Sequence, residues 1–222
     1  MREARTRKHH QNNQHRRDSS RTRATILSAA EKIFAEAGLA GARTDAIAAA
    51  AGVNKAMLYY YFKSKDGLYR AVLEANVEEF HRGAEAVLAS GKSAGAILLD
   101  YVGHHFSFIG ARPYYARLFQ RLMMTGDRSV VRIIRLHFVP LFRKLVTLIE
   151  HGVRSREFRT LDARHTAISL VALLVFYFNA APMAQKIGHI DVFDRAQQAL
   201  RKKEVLKFIR YAMFTNPEAV KK

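Results

Sequence analysis

The sequence contains no cysteine, which removes disulfides and thiolate chemistry, leaves metal binding to histidine and carboxylates, and fits a reducing compartment. Proline and glycine number only 4 and 12 among 222 residues. No period-two alternation of apolar and polar residues occurs and no segment repeats, so a strand-built fold is excluded and an all-α architecture is expected. The sequence has no glycine-rich phosphate loop, no HExxH spacing and no nucleophile, base and orienter set; neither catalysis, a metal nor a cofactor is expected. His104 and His105 are adjacent and diverge by about 100° on a helix, so they do not readily chelate one ion. The N-terminus is basic and polar without an apolar stretch behind it, so no secretory signal is expected and the chain is placed in the cytoplasm. The one run of near-membrane length, Ala167 to Ala184, is interrupted by Ser169, Asn179 and Pro182. It reads as a helix covered on both sides, by core and by a subunit interface, rather than as a membrane span.

Acidic residues are also scarce: 19 Asp and Glu stand against 37 Lys and Arg, a formal charge of +18. Such an excess favours a polyanionic partner, because lysine and arginine displace the counterions condensed on phosphate. The charge does not locate that partner. Residues 1–66 carry a net +7 and the remainder +11, so the binding surface has to be found by motif.

Hydrophobic residues make up 49% of the chain, ample for a packed interior. Residues 1–18 are polar, rich in Arg, His, Gln and Asn and without apolar period, and are expected to be a disordered basic arm. Its Arg2, Arg5, Arg7, Lys8, Arg16 and Arg17 suit either a minor-groove or phosphate-tracking arm or a solvated tail. From Ser19 a helix is predicted on Ile26, Ala29, Ala30, Ile33, Phe34 and Ala37, stopping at Gly38. Two short helices follow, with Thr44 and Asn54 as N-caps and Gly52 in the turn between them; Ser64 then caps a long helix with Asp66 in its first turn. Further helices are predicted over about 94–109, 113–124, 129–154, 162–181 and 192–214. The domains expected are residues 19–66 and 67–222.

Two short helices around a glycine-containing turn form a helix-turn-helix signature. Alanines 48 to 51 let the second helix cross closely, and Ile47, Val53, Leu58 and Phe62 fill a small core against Ile33 and Phe34. With Leu58 and Phe62 inward, the ~100° step places Tyr60 outward beside Ala56 and Met57, with Tyr59 and Tyr61 flanking the seam. An exposed tyrosine offers a ring edge to bases or sugars and a hydroxyl to phosphate. Lys55 reaches guanine or phosphate, Ala56 and Met57 suit thymine methyls, and Thr44 and Lys65 sit near helix N-termini that favour phosphate. One short helix reads few bases, so a two-fold dimer on palindromic double-stranded DNA is expected, its recognition helices about 34 Å or a multiple apart.

The segment TRATILSAAEKIFAEAGLAGARTDAIAAAAGVNKAMLYYYFKSKDGLYRAVLE, Thr22 to Glu74, resembles the N-terminal DNA-binding domain of the TetR family of bacterial transcriptional regulators. The landmarks are the apolar helix ending at Phe34 and Gly38, Thr44 opening the second helix, AGV at the turn and LYYYFKSKDGL after it. By that resemblance Thr44, Lys55, Ala56, Tyr59, Tyr60, Tyr61 and Lys65 fall where members touch DNA. Ala56 and Tyr61 depart from the Gly or Ser and the His common at those positions, so operator sequence does not carry over.

The resemblance also implies that the larger helical domain supplies a ligand cavity and a four-helix dimer interface, so that a small-molecule effector releases a repressor from its operator. The sequence supports the interface, expected through about 163–181 and 192–214: Ala167 to Ala181 is apolar on nearly every face, and residues 192–214 carry Phe193, Ala196, Leu200, Leu206, Ile209 and Met213, which an isolated subunit would expose. For the ligand, Leu98, Tyr101, His105 and Phe108 form a helical stripe; it either lines a cavity or packs as core. Asn179, in an otherwise apolar helix, needs a partner from the ligand or the second subunit. Arg112, Arg117, Arg121, Arg128, Arg132 and Arg135 form a basic band, read as a solvated face or as the site of an anionic effector. The rival function is a ligand-insensitive protein with broad, charge-driven chromosome binding.

Overall fold

In the computed structural model, residues 2–125 and 128–218 are described, with side chains at 17–121 and 131–218. The chain divides into two compact units, up to Glu74 and from Ala75, eight residues beyond the domain boundary expected from the sequence.

The first unit holds α1 (Arg2–Gly41), α2 (Thr44–Ala51), α3 (Lys55–Phe62) and the beginning of α4 (Lys65–Leu88). Ile26, Ala30 and Phe34 recur every four residues along α1 and are fully buried, forming the single apolar stripe a helix needs to pack. Ile47, Ala48, Leu58, Phe62, Leu68 and Tyr69 complete this core, with the Phe34 and Tyr69 rings edge to face at 5.0 Å. Each fully buried large side chain contributes about 1.5–3 kcal/mol. Ile33 and Val53 are only half-buried and Ala49 and Ala50 are exposed, so close crossing of α2 rests on Ala48 and Ala51 alone.

Local signals set most of the boundaries. Asn54 accepts a hydrogen bond from the Met57 amide at 3.0 Å, and Ser64 Oγ one from Gly67 at 2.9 Å. Gly52 takes the left-handed conformation, φ 65°, which costs a residue without Cβ little. The α2 cap differs from expectation: Arg43 is the cap residue, without a side-chain hydrogen bond, and Thr44 is the first helical residue. Helix α1 leaves helical geometry at Gly38, φ 70° and ψ 178°, then closes one more turn. Its backbone is helical back to Arg2, where a disordered arm was expected. Residues 2–37 contain no glycine or proline and many Arg, Glu, Lys, Ala and Gln, so propensity there favours continuing the helix.

The second unit holds the rest of α4, α5 (Ala94–Gly110), α6 (Pro113–Thr125), α7 (Arg128–Ile133), a π-helical turn (Ile134–Phe138), α8 (Val139–Arg154), α9 (Ala163–Asn179), α10 (Ala181–Gly188) and α11 (Arg195–Met213). Nearly every residue of α5 is buried, with α6, α8, α9 and α11 around it. Its N-terminus is held by Glu157, whose carboxylate accepts from the Gly95 amide at 2.8 Å and the Ala94 amide at 3.3 Å, an anion placed where the helix dipole favours one. Phe158 and Phe214 form an isolated antiparallel bridge, the only extended pairing among the described residues. The single helix expected over 129–154 is interrupted by the π turn, and the one over 162–181 ends at Asn179, where α10 starts with Pro182 in its first turn. The α9 and α10 axes bend by 64° there, and among the described residues no single helix is long and apolar enough to cross a membrane.

Candidate functional site

The first unit presents α3 by its unburied side. Leu58 and Phe62 are 3% and 6% exposed, while Tyr60 is 72% and Tyr59 43% exposed. Lys55 and Ala56 are exposed too, and Met57 and Thr44 half-buried. Lys55, in the first turn of α3, places Nζ 2.9 Å from Asp45 Oδ1. Their hydrogen bond is the main cause holding the Asp45 carboxyl below, and the Lys55 ammonium above, its ordinary range. The Lys63 ammonium donates to the Tyr60 carbonyl at 3.2 Å and lies 5.8 Å from that ring's centre, so cation and phenol share one edge of the surface.

Two of the predicted contact residues are committed inside the unit. Tyr61 is half-buried and its hydroxyl donates to Ser19 Oγ at 3.1 Å. Lys65 donates from Nζ to the Ala40 and Ala42 carbonyls at 3.3 and 3.2 Å, tying the end of α1 to the start of α4. Nothing local in the sequence announces either bond, because the partners lie 42 and 23 to 25 residues away.

In the second unit a cavity of about 310 Å³ is lined by α4, α5, α6, the π turn, α8 and α9. Tyr101 and His105 line it, one of the two readings open for the α5 stripe, but Phe108 and Asn179 do not. Phe108 lies behind the wall, packed on Phe80 at 5.2 Å and Tyr115 at 5.1 Å beneath the Arg112 guanidinium at 4.1 Å. Asn179 Oδ1 is buried without a hydrogen-bond partner. The sequence stripe missed Tyr115, Phe119 and Phe138, which reach the cavity from other helices.

His105 is 5% exposed and its Nδ1 has no hydrogen-bond partner. Burial, with His104 beside it, lowers its pKa from 6.5 to about 3, so the imidazole is neutral. Burial likewise pushes the Tyr101 and Tyr115 phenols up. His104 faces away from this cavity, stacked on Phe80 at 5.8 Å; a Cβ on Gly83 would stand 2.3 Å from its Cε1, so glycine there is what admits the ring. Among the described residues of the basic band none lines the cavity. Arg112 pairs with Glu79, Arg117, Arg121, Arg132 and Arg135 are exposed, and the Arg128 side chain lies outside the described residues.

The outer side of the last helices is apolar and bare. Along α9, Ala163, Ala167, Leu170, Leu174 and Phe178 face the core while Ile168 and Phe176 are 55% and 64% exposed. On α11 Leu200 and Ala196 are exposed, as expected of an isolated subunit, together with Phe208 and Tyr211, whereas Ile209 and Met213 of the same expected row are buried with Val205. Between them runs an open groove of about 1020 Å³ reaching from Leu161 to Phe208. A contiguous apolar face of this kind marks an interaction surface.

Comparison with known proteins agrees with both units. Residues 26–72 match the sequence model of the bacterial regulatory proteins of the tetR family, and residues 96–209 that of the tetracyclin repressor-like C-terminal domain. The HTH-type transcriptional repressor NicS of Pseudomonas putida is 36% identical over 197 residues, covering 82% of this chain and 87% of NicS. The HTH-type transcriptional regulator RutR of Escherichia coli is 29% identical over 169 residues, covering 76% and 79%. Among solved structures, the transcriptional regulator FadR of Bacillus subtilis in complex with stearoyl-CoA superposes with a TM-score of 0.65 at 20% identity, covering 82% of this chain and 97% of FadR. At that identity it speaks for the fold alone.

Proposed function

The chain belongs to the TetR family of bacterial regulatory proteins and is a helix-turn-helix transcriptional regulator, and on that premise we propose that its homodimer represses transcription from a palindromic operator and lets go when a small molecule fills the cavity beside α5. The observation that carries the DNA-binding half is the two-sided burial of α3, with Leu58 and Phe62 sealed and Tyr60 72% exposed. In the bacterial cytoplasm the outward face of α3 enters the major groove: Lys55, Ala56, Met57, Tyr59 and Tyr60 meet bases and backbone, and Thr44 meets a phosphate at the start of α2. Tyr61 and Lys65 hold α3 and α4 in place through their bonds to α1.

The exposed apolar rows of α9 and α11 supply the dimer contact, pairing two recognition helices on two half-sites. The helix α4 that starts beside α3 carries Phe80, a cavity-wall residue, and so gives the effector a covalently continuous element to act on.

The rival, a ligand-insensitive chromosome-binding protein, draws on the +18 charge. Selecting bound fragments from the source genome and comparing affinity for the enriched site with random DNA decides between them. A preference of about 10³-fold or more is expected of a regulator; comparable affinities for both would leave only the broad binder.

A further inference from the structure

We propose that the cavity beside α5 takes an uncharged, compact ring compound with one hydrogen-bonding group directed at His105, and rejects carboxylates and ammonium compounds of the same size. This deepens the effector reading above and rests on it. The wall is built almost entirely from rings and aliphatic side chains, with Phe80, Tyr101, Tyr115, Phe119, Phe138 and Phe142 the aromatic share. Among the described residues no Lys, Arg, Asp or Glu lines it. A charge buried there would lack a counter-charge, and an unpaired buried ion is expelled. Arg112, whose charge acts on the Tyr115 phenol, is engaged by Glu79 and by the Phe108 ring.

His105 is the polar feature. The imidazole is enclosed by the Phe80 ring at 4.6 Å and the Tyr101 ring edge at 5.8 Å. Because burial keeps it neutral down to about pH 3, it offers no cation to an anionic ligand. Its Nδ1 is buried without a partner while the residue stands on the cavity wall, so packing of the chain alone does not meet the hydrogen-bonding capacity of the imidazole. A neutral imidazole accepts at one nitrogen and donates at the other, so a phenolic hydroxyl or a carbonyl suits it equally. The volume, about 310 Å³, stands at the low end of the ~300–1,000 Å³ of ligand pockets and suits one or two fused rings. Aromatic walls favour rings through edge and offset-stacked contacts.

The test uses a matched series on the purified full chain: 2-naphthol, naphthalene, 2-naphthoate and 2-naphthylmethylammonium, by calorimetric titration and thermal shift at pH 7. We expect 2-naphthol to bind at least tenfold more tightly than either ion and to raise the melting temperature. His105→Phe should abolish the advantage of 2-naphthol over naphthalene, roughly a tenfold loss, while keeping the hydrocarbon; Val171→Phe should block all four by filling the lumen. If His105→Phe does not fold, the wild-type ranking alone decides. Binding of 2-naphthoate or the ammonium probe as tight as that of 2-naphthol overturns the proposal, and so does a failure of both uncharged probes to bind. DNA binding is measured on the same preparation: probe binding without a preferred DNA site would instead sink the regulator reading and leave the ligand class standing.

Discussion

Across the turn of the DNA-binding unit, Lys55 on α3 and Asp45 on α2 form an ion pair of 2.9 Å on an exposed surface. Solvent screens such a pair, so its use lies in posture: the carboxylate holds the lysine stem against the helix-turn-helix, and the ammonium must trade that partner for DNA.

Replacing Asp45 by Asn leaves Lys55 without its competitor. Non-specific DNA affinity should rise several-fold at low salt, while Lys55→Ala should lower it and reduce the slope of log affinity against log salt by about one. Fluorescence anisotropy on labelled duplexes over a salt series measures both. Identical salt slopes for wild type and Lys55→Ala would remove Lys55 from the interface.

Neighbouring tyrosines should separate cleanly. Tyr60→Ala removes a ring that is 72% exposed and should cost about 1–3 kcal/mol of operator binding with little change in folding stability. Tyr61→Phe breaks the bond to Ser19 and should cost about 0.5–1.5 kcal/mol of stability. A double-mutant cycle with Ser19→Ala, read by urea unfolding, isolates that coupling; full additivity would mean the bond contributes nothing.

His105 makes stability depend on acid. Its pKa falls from 6.5 to about 3 on folding, so the unfolded chain takes up the proton first. The stability it contributes is complete above pH 6.5 and is lost as pH falls toward 3, at roughly 1.4 kcal/mol per pH unit. His105→Phe also removes an unpartnered buried nitrogen. Its unfolding free energy should therefore hold up better than that of the wild type between pH 6.5 and 4.5, a difference that denaturant titrations at several pH values report directly. Parallel pH curves would show that the imidazole is not sealed.

The bare face of α9 and α11 should carry self-association. Phe176→Glu together with Phe208→Glu places charges on positions 64% and 63% exposed in the single chain, so each protomer keeps its fold. Sedimentation should give monomers for the variant and dimers for wild type, and operator affinity should drop at least 100-fold as half-sites are bound singly. A dimeric double variant would move the interface elsewhere.

Several features were legible in the residues alone because their causes act within about four positions. Asn54 and Ser64 meet amides three residues on, Gly52 adopts the turn conformation it was expected to adopt, and a ~100° step from Leu58 and Phe62 puts Tyr60 in solvent. Tyr101 and His105 fell on one inward row of α5 for the same reason. Tertiary structure decided which neighbour each side chain met. Tyr61 found Ser19 and Lys65 found the end of α1, partners that helical periodicity does not name. Phe108 shares the α5 row yet is roofed by Arg112, and the cavity wall comes from helices far apart in sequence. Leu200 obeys an apolar spacing but lies on the uncovered side of α11, with Val205, Ile209 and Met213 forming the covered row. Helical periodicity specifies a face; which partner covers it depends on the order in which distant elements close-pack, and that is a property of the whole chain.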